Sequence, residues 1–276
     1  MARRNVSVAV LTIEGTNCDE ELVVALRTLG AKPEIVHLKQ LEGRDVPSAE
    51  RRRLQDYQML LVPGGFSAGD YVRAGAIFAA RMRASLGPEL EEFVRSGRLV
   101  GGICNGFQVL TELGLLPGRA DGRLGSVDAV LATNASGHFE CRPTFVAWAG
   151  GNFPALADVP SGRRFLFPSA HAEGRLILGG DPVAHRAELE RRGQVLFRWV
   201  APDGGTATYP WNPNGSEGNI AGLTNPTGTV FGLMPHPERS FFRAQEPDWT
   251  RRGSPRGFGD GEKFLDRVLA YAERHV

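Results

Sequence analysis

Apolar and polar positions alternate in two ways along the first half of the chain. Residues 6–13 form a β-branched apolar run, the pattern of a strand buried on both faces. Gly15-Thr16-Asn17 turns the chain. A helix is expected from about Asn17 or Asp19, with Leu22, Val23, Leu26 and Leu29 at helical spacing and Gly30 ending it. Residues 33–38 read as a second strand, 42–53 as polar loop running into a short helix, and 57–62 as a third strand stopped by Pro63-Gly64-Gly65. Helical stretches over 71–83 and 89–96 follow, Gly97 closes the second, and a fourth strand leads to Cys104. This alternation predicts a parallel sheet wrapped on both faces, with ligands bound beyond the carboxyl ends of its strands. Pro63-Gly64-Gly65 and Cys104 both fall at such ends.

From about Leu124 the pattern changes. Short runs at 128–133, 138–148, 176–178, 194–200 and 206–209, broken by Gly and Pro, predict antiparallel strands and long loops on the same core. Residues 220–223 and 229–234 read as two strands joined by a hairpin turn at 225–228, and the last helix is expected over 261–274. The 251–261 segment is rich in Gly and Arg and is expected not to pack. No repeat or linker divides the chain, so one domain over 1–276 is expected.

Composition narrows the function classes. The formal net charge of the 276 residues is +1 with basic residues spread along the chain, which argues against nucleic-acid or membrane binding. Three cysteines, Cys18, Cys104 and Cys141, make no disulfide framework and fit a reducing, cytoplasmic setting. The N-terminal apolar run is followed at once by acidic residues, so a first strand is the better reading than a signal peptide.

The most informative stretch is Leu99-Val100-Gly101-Gly102-Ile103-Cys104-Asn105-Gly106-Phe107-Gln108. An apolar strand reaches a cysteine flanked at two residues on either side by glycine, and a helical pattern follows. This is the Gly-x-Cys-x-Gly form of a nucleophile elbow, a turn too tight for side chains at the flanking positions. Cys104 would sit at a helix N-terminus, where partial positive charge favours thiolate. The same pattern also fits a buried cysteine in an ordinary Gly-rich turn. A nucleophile needs a base, and the base needs an orienting carboxylate. His236 and Glu238, spaced i, i+2 between prolines after a strand, can point the same way. The backbone N–H groups of Asn105 and Gly65 are candidate donors to an oxyanion. Asp70 and Arg73 fit either substrate binding or a helix-start carboxylate and a surface arginine. His171 reads as a surface or hydrogen-bonded histidine, and Cys18 and Cys141 as small buried or semi-buried residues. His138, Glu140 and Cys141 are not expected to bind a metal, because Cys141 points away from the other two in a strand.

The elbow and His236-Pro237-Glu238 resemble the class I (triad) glutamine amidotransferases. Further stretches are similar to the glutaminase subunits of phosphoribosylformylglycinamidine synthases: Gly15-Thr16-Asn17-Cys18-Asp19, Pro63-Gly64-Gly65-Phe66-Ser67, Gly69-Asp70-Tyr71-Val72-Arg73-Ala74-Gly75-Ala76, Phe139-Glu140-Cys141-Arg142, Ala170-His171-Ala172-Glu173-Gly174, Asn212-Pro213-Asn214-Gly215-Ser216 and Met234-Pro235-His236-Pro237-Glu238-Arg239. The sequence departs from that pattern at Ala68, His138 and Ala172, where tyrosine, arginine and glycine are usual. The resemblance implies a three-layer α/β/α, flavodoxin-like fold with a mostly parallel central sheet and antiparallel additions in the C-terminal half. It implies glutamine hydrolysis through a Cys104 thioester, with His236 as acid and base, Glu238 as its orienting group, Gly65 and Asn105 as the oxyanion hole and Gln108 as a substrate-binding residue. It also implies partners: a large synthetase subunit that carries ATP and magnesium and takes the ammonia to aminate formylglycinamide ribonucleotide, and a small accessory subunit. No cofactor or metal is expected in this chain, and no Gly-x-x-x-x-Gly-Lys-Ser/Thr phosphate loop is present. Two other readings stay open at this point: a stand-alone γ-glutamyl hydrolase on the same fold, and a catalytically silent regulatory subunit.

Overall fold

The computed structural model describes residues 5–125, 127–251 and 255–275. Strand β1 (Ser7–Thr12) leads to helix α1 (Asp19–Thr28), which carries Asp19, Glu20 and Glu21 at its positive end. Strand β2 (Lys32–His37) runs directly into α2 (Leu38–Glu42), a short helix that precedes the polar loop expected there. His37 and Gln40 cap it reciprocally: the Lys39 N–H donates to His37 Nδ1 and the His37 N–H to Gln40 Oε1. Strand β3 (Met59–Val62) is buried at every position.

The two helical stretches expected between residues 71 and 96 form one helix, α3 (Ala76–Arg95). It starts late because Val72 and Gly75 take φ values of +73° and +79°, outside helical space. It continues through Pro88 because its apolar stripe is buried on both sides of the proline, with Phe78 and Met82 before it and Leu90 and Phe93 after it. Gly87 has no Cβ to meet the pyrrolidine ring. Each buried side chain contributes about 1.5–3 kcal/mol, so four of them outweigh the roughly 3 kcal/mol that a helix-interior proline costs. Strand β4 (Leu99–Ile103) and helix α4 (Asn105–Glu112) then flank Cys104.

The second half contributes β5 (Ala129–Ala132), β6 (Glu140–Trp148), β7 (Arg164–His171), β8 (Arg175–Leu178), α5 (Pro182–Arg191), β9 (Val195–Val200), β10 (Ile220–Thr224), β11 (Val230–Leu233) and α6 (Asp260–His275). The sequence pattern did not reveal β7 or α5. Residues 206–209, expected as a strand, make only an isolated bridge between Thr206 and Val200. The end of this segment does pack, against expectation, while residues 255–258 stay largely exposed. Phe258 lies 5.5 Å from Phe241, and the Gly259 N–H donates to the Phe241 carbonyl at 2.7 Å. Glycine allows this approach, since a Cβ on Gly261 would stand 1.8 Å from the Pro237 carbonyl oxygen. Residues 252–254 of that segment lie outside the described residues.

Among the described residues the main sheet runs β2-β1-β3-β4-β11-β10-β9-β6-β7, and β5 pairs with β8 in a separate ribbon. The run from β2 to β11 is parallel, and the strands beyond it are antiparallel. α1 packs beside α6 and α3 beside α4. Right-handed crossovers put the first pair on one face of the sheet and the second on the other, giving three layers. The chain reverses direction across the sheet between β1 and β3, and the loops leaving β1, β3, β4 and β11 therefore open on one crevice.

Candidate active site

Each of those four loops delivers a piece of one site. At the β4–α4 junction Cys104 has φ +52° and ψ −108°, a strained conformation for a residue with a side chain. Packing holds it there. A Cβ on Gly102 would lie 2.4 Å from the Gly106 carbonyl oxygen, and one on Gly106 would lie 1.9 Å from that of Val62. The Cys104 N–H donates to the Leu233 carbonyl at 2.8 Å, and its own carbonyl accepts the first helical hydrogen bond, from Gln108, at 3.2 Å. The thiol is buried and donates to the Ala170 carbonyl at 3.5 Å. Asn105 opens α4, so its N–H points out of the helix without an intrahelical acceptor.

His236 follows β11. Its N–H donates to the Pro168 carbonyl at 2.8 Å, and its Nδ1 meets Glu238 Oε1 at 2.5 Å. Both side chains are about 1 % exposed. Burial alone would push the imidazole pKa down. The Glu238 carboxylate, then Cys104, then Cys18 overcome this and hold it well above the ordinary histidine range. The remaining ring nitrogen, Nε2, is buried with no hydrogen-bond partner. Gly64, leaving β3, closes the gap. A Cβ there would stand 2.7 Å from His236 Cε1, 3.1 Å from Cys18 Sγ and 3.3 Å from Cys104 Cβ, so the imidazole, the Cys18 thiol and the Cys104 β-carbon converge on that point. Gly65 beside it has φ +142° and is bridged to Thr16 of the β1 loop.

The structure thus brings together Cys104, His236, Glu238, Asn105 and the Gly64-Gly65 turn. Gln108 belongs to the same pocket. The Asn105 side-chain amide donates to Gln108 Oε1 at 2.9 Å and to Asp70 Oδ1 at 3.4 Å, and Gln108 Nε2 donates to the Glu173 carbonyl at 2.5 Å. Arg73 is drawn away from the pocket, bound to Glu112 at 2.6 and 2.5 Å. His138 and Cys141 are exposed while Glu140 is buried against Arg142, so these three do not converge. The exposure of Cys141 corrects its reading as buried or semi-buried, and alternation along β6 is the reason.

Two neighbours of the site were not legible as such in the sequence. Cys18, at the start of α1, is buried, and burial pushes its thiol pKa up. Arg239 donates to Cys18 Sγ at 3.1 Å and to Glu21 at 2.7 Å. Ligand atoms of Cys18, Glu21, His236 and Glu238 lie within 4.8 Å of one another, a set that could hold a metal ion. Each already has a partner without one: the Arg239 guanidinium supplies the positive charge to Cys18 and Glu21, and Glu238 is committed to His236. His171, at the end of β7, is buried rather than on the surface. Its Nδ1 faces Asn134 Oδ1 at 3.2 Å, and burial together with nearby His236 pushes its pKa down to about 3. Only the separation in sequence concealed these contacts.

A cysteine on a strained turn, a buried imidazole fixed by a carboxylate and a backbone N–H at a helix start suit acyl transfer from an amide. The comparisons agree. Residues 5–271 match the model of the CobB/CobQ-like glutamine amidotransferase domain. The chain is 46 % identical to the phosphoribosylformylglycinamidine synthase subunit PurQ of Archaeoglobus fulgidus, over 99 % of this chain and 100 % of that one. It is 43 % identical to the same subunit from Picrophilus torridus, over 91 % and 93 %. Among solved structures, that of PurLQS from Thermotoga maritima superposes with a TM-score of 0.69 at 30 % identity, covering 97 % of this chain and 99 % of that one. A glutamine amidotransferase from the same organism shares the fold, with a TM-score of 0.52 at 16 % identity over 98 % and 99 %. The chain belongs to the glutamine amidotransferase family, among the PurQ subunits of phosphoribosylformylglycinamidine synthase.

Proposed function

We propose that the chain hydrolyses glutamine to glutamate and ammonia at Cys104 and passes the ammonia to a synthetase partner, where it aminates formylglycinamide ribonucleotide. The observation that carries this reading is the buried His236 imidazole, locked by Glu238 on one nitrogen and unpartnered on the other beside Cys104. With the Cys104 proton held on His236, the thiolate sulfur adds to the carboxamide carbon as the carbonyl electrons move onto oxygen. The N–H groups of Asn105 and Gly65 receive that oxyanion; removing one such donor typically costs about 3–4 kcal/mol of transition-state stabilisation. The C–N bond breaks as His236 returns the proton to nitrogen, releasing ammonia and leaving a glutamyl thioester. His236 then draws a proton from water, which attacks the thioester and frees glutamate and the thiol. Gln108 lines the pocket where the substrate is held.

ATP and magnesium belong to the synthetase partner in this reading, and the chain works as one amidotransferase domain in the cytoplasm. No helix among the described residues is long and apolar enough to cross a membrane. The test is Cys104→Ala in the assembled complex. Glutamine-dependent amination is expected to disappear while amination from free ammonia persists. Loss of both, with the complex intact, would mean that Cys104 serves the synthetase in some other way.

A further inference from the structure

Asp70 and Glu173 are the unexplained charges of this pocket. Asp70 lies in the loop after β3, where Ala68, Asp70 and Val72 all take positive φ, at +52°, +52° and +73°. Strain of this kind persists where surrounding structure over-determines it, often at ligand sites. Glu173 lies in the turn between β7 and β8. Its Oε2 accepts from the Ala74 N–H at 3.0 Å, which ties that turn to the loop bearing Asp70. Burial, with Glu173 nearby, pushes the Asp70 pKa up to about 6. Among the described residues neither carboxylate enters an ion pair, and the nearby guanidinium of Arg73 is committed to Glu112. The other groups at this spot are the neutral amides of Asn105 and Gln108. Two like charges from separate loops therefore face one half-buried place that no cation among the described residues fills, an unfavourable arrangement until a positive group enters.

The pocket calls for a ligand at its other end as well. His236 Nε2 is buried and unpartnered beside Cys104, where a reacting carboxamide belongs. Between the two ends lies the first turn of α4, from Cys104 to Gln108. A helical turn rises about 5.4 Å. Glutamine has its carboxamide carbon and its α-ammonium nitrogen four bonds apart, roughly 5 Å when extended. We infer that Asp70 and Glu173 receive the α-ammonium group of glutamine, and so select substrates that carry one. This rests on the assignment of Cys104 as nucleophile.

The test uses the chain assembled with its synthetase partner and two substrates, glutamine and glutaramate, the same carboxamide acid without the α-amino group. Asp70→Asn and Glu173→Gln are each expected to raise the glutamine KM about tenfold to a hundredfold, the range for losing a charged hydrogen bond, with a smaller effect on kcat. The ratio of kcat/KM for glutamine to that for glutaramate is expected to fall by a similar factor in each variant. Alkylation of Cys104 by iodoacetamide, read by mass spectrometry, reports whether the nucleophile and its turn remain formed. An unchanged ratio in variants that still alkylate at the wild-type rate would overturn the inference. Continued glutamine hydrolysis by Cys104→Ala would instead remove the nucleophile assignment beneath it.

Discussion

Cys104 can sit on its turn only because glycines surround it, and the same constraint makes Gly64 a sensitive position. A methyl group there would press on His236 Cε1 at 2.7 Å and on Cys104 Cβ at 3.3 Å. Gly64→Ala is expected to lower kcat of the assembled enzyme by about 100-fold, as displacement of a catalytic group by about an ångström can. Wild-type kcat in that variant would show that the imidazole has more room than the geometry allows. Glu238→Gln keeps a hydrogen-bonding group beside His236 Nδ1 but removes the charge that sustains the imidazolium. It is expected to reduce kcat about 10³- to 10⁴-fold, by analogy with orienting carboxylates in other triads, with little change in KM. A reduction under tenfold would deny Glu238 its orienting role. At this scale the sequence was legible where chemistry is local. The Gly-x-Cys-x-Gly spacing and the i, i+2 pair of His236 and Glu238 are visible because neighbours in the chain create them. The proximity of Cys18 to His236 and of Asp70 to Glu173 depends on loops brought together by the sheet, and no short-range pattern encodes it.

Elements were readable to the extent that their burial was periodic. β1, β4, β10 and β11 stand out as apolar runs, and α6 as an amphipathic stripe. α5 is not legible from periodicity because only Leu189 is buried in it, so it has no apolar face to announce it; its start is marked instead by Asp181, whose side chain accepts from the Val183 and Ala184 N–H groups. β7 is hidden in the sequence because Pro168 interrupts its Phe165-Leu166-Phe167 run, yet it is the strand that carries His171 to the site. Its burial there has a consequence for stability. The folded pKa of His171, about 3, lies below its unfolded value of 6.5. Between those values the unfolded chain binds the extra proton, so stability is lost as pH falls through 6.5 and the loss levels off below about 3. By pH 4 the loss from this group is on the order of a few kcal/mol. Denaturant midpoints measured from pH 7 to pH 4 are expected to fall more steeply for the wild type than for His171→Gln, whose amide can still reach Asn134. Parallel curves would mean that His171 does not titrate against folding.

The whole molecule is arranged so that loops leaving β1, β3, β4 and β11, from both ends of the chain, meet over one crevice. α6 braces it from below, since its first turn packs Gly261 against Pro237 of the His-Pro-Glu turn, and its Asp260 carboxylate accepts from the Leu166 N–H at 2.9 Å. A site assembled this way depends on the fold as a unit, and binding of a partner can complete such a site. Glutaminase activity is expected to be weak for the isolated chain and strongly raised in the complex; full activity of the chain alone would remove that dependence. The most direct measurement is mass spectrometry of the chain after acid quench during glutamine turnover in the complex. A glutamyl adduct is expected on the peptide containing Cys104, and none in Cys104→Ala. An adduct on Cys18, or glutamine hydrolysis that survives the loss of Cys104, would contradict the mechanism.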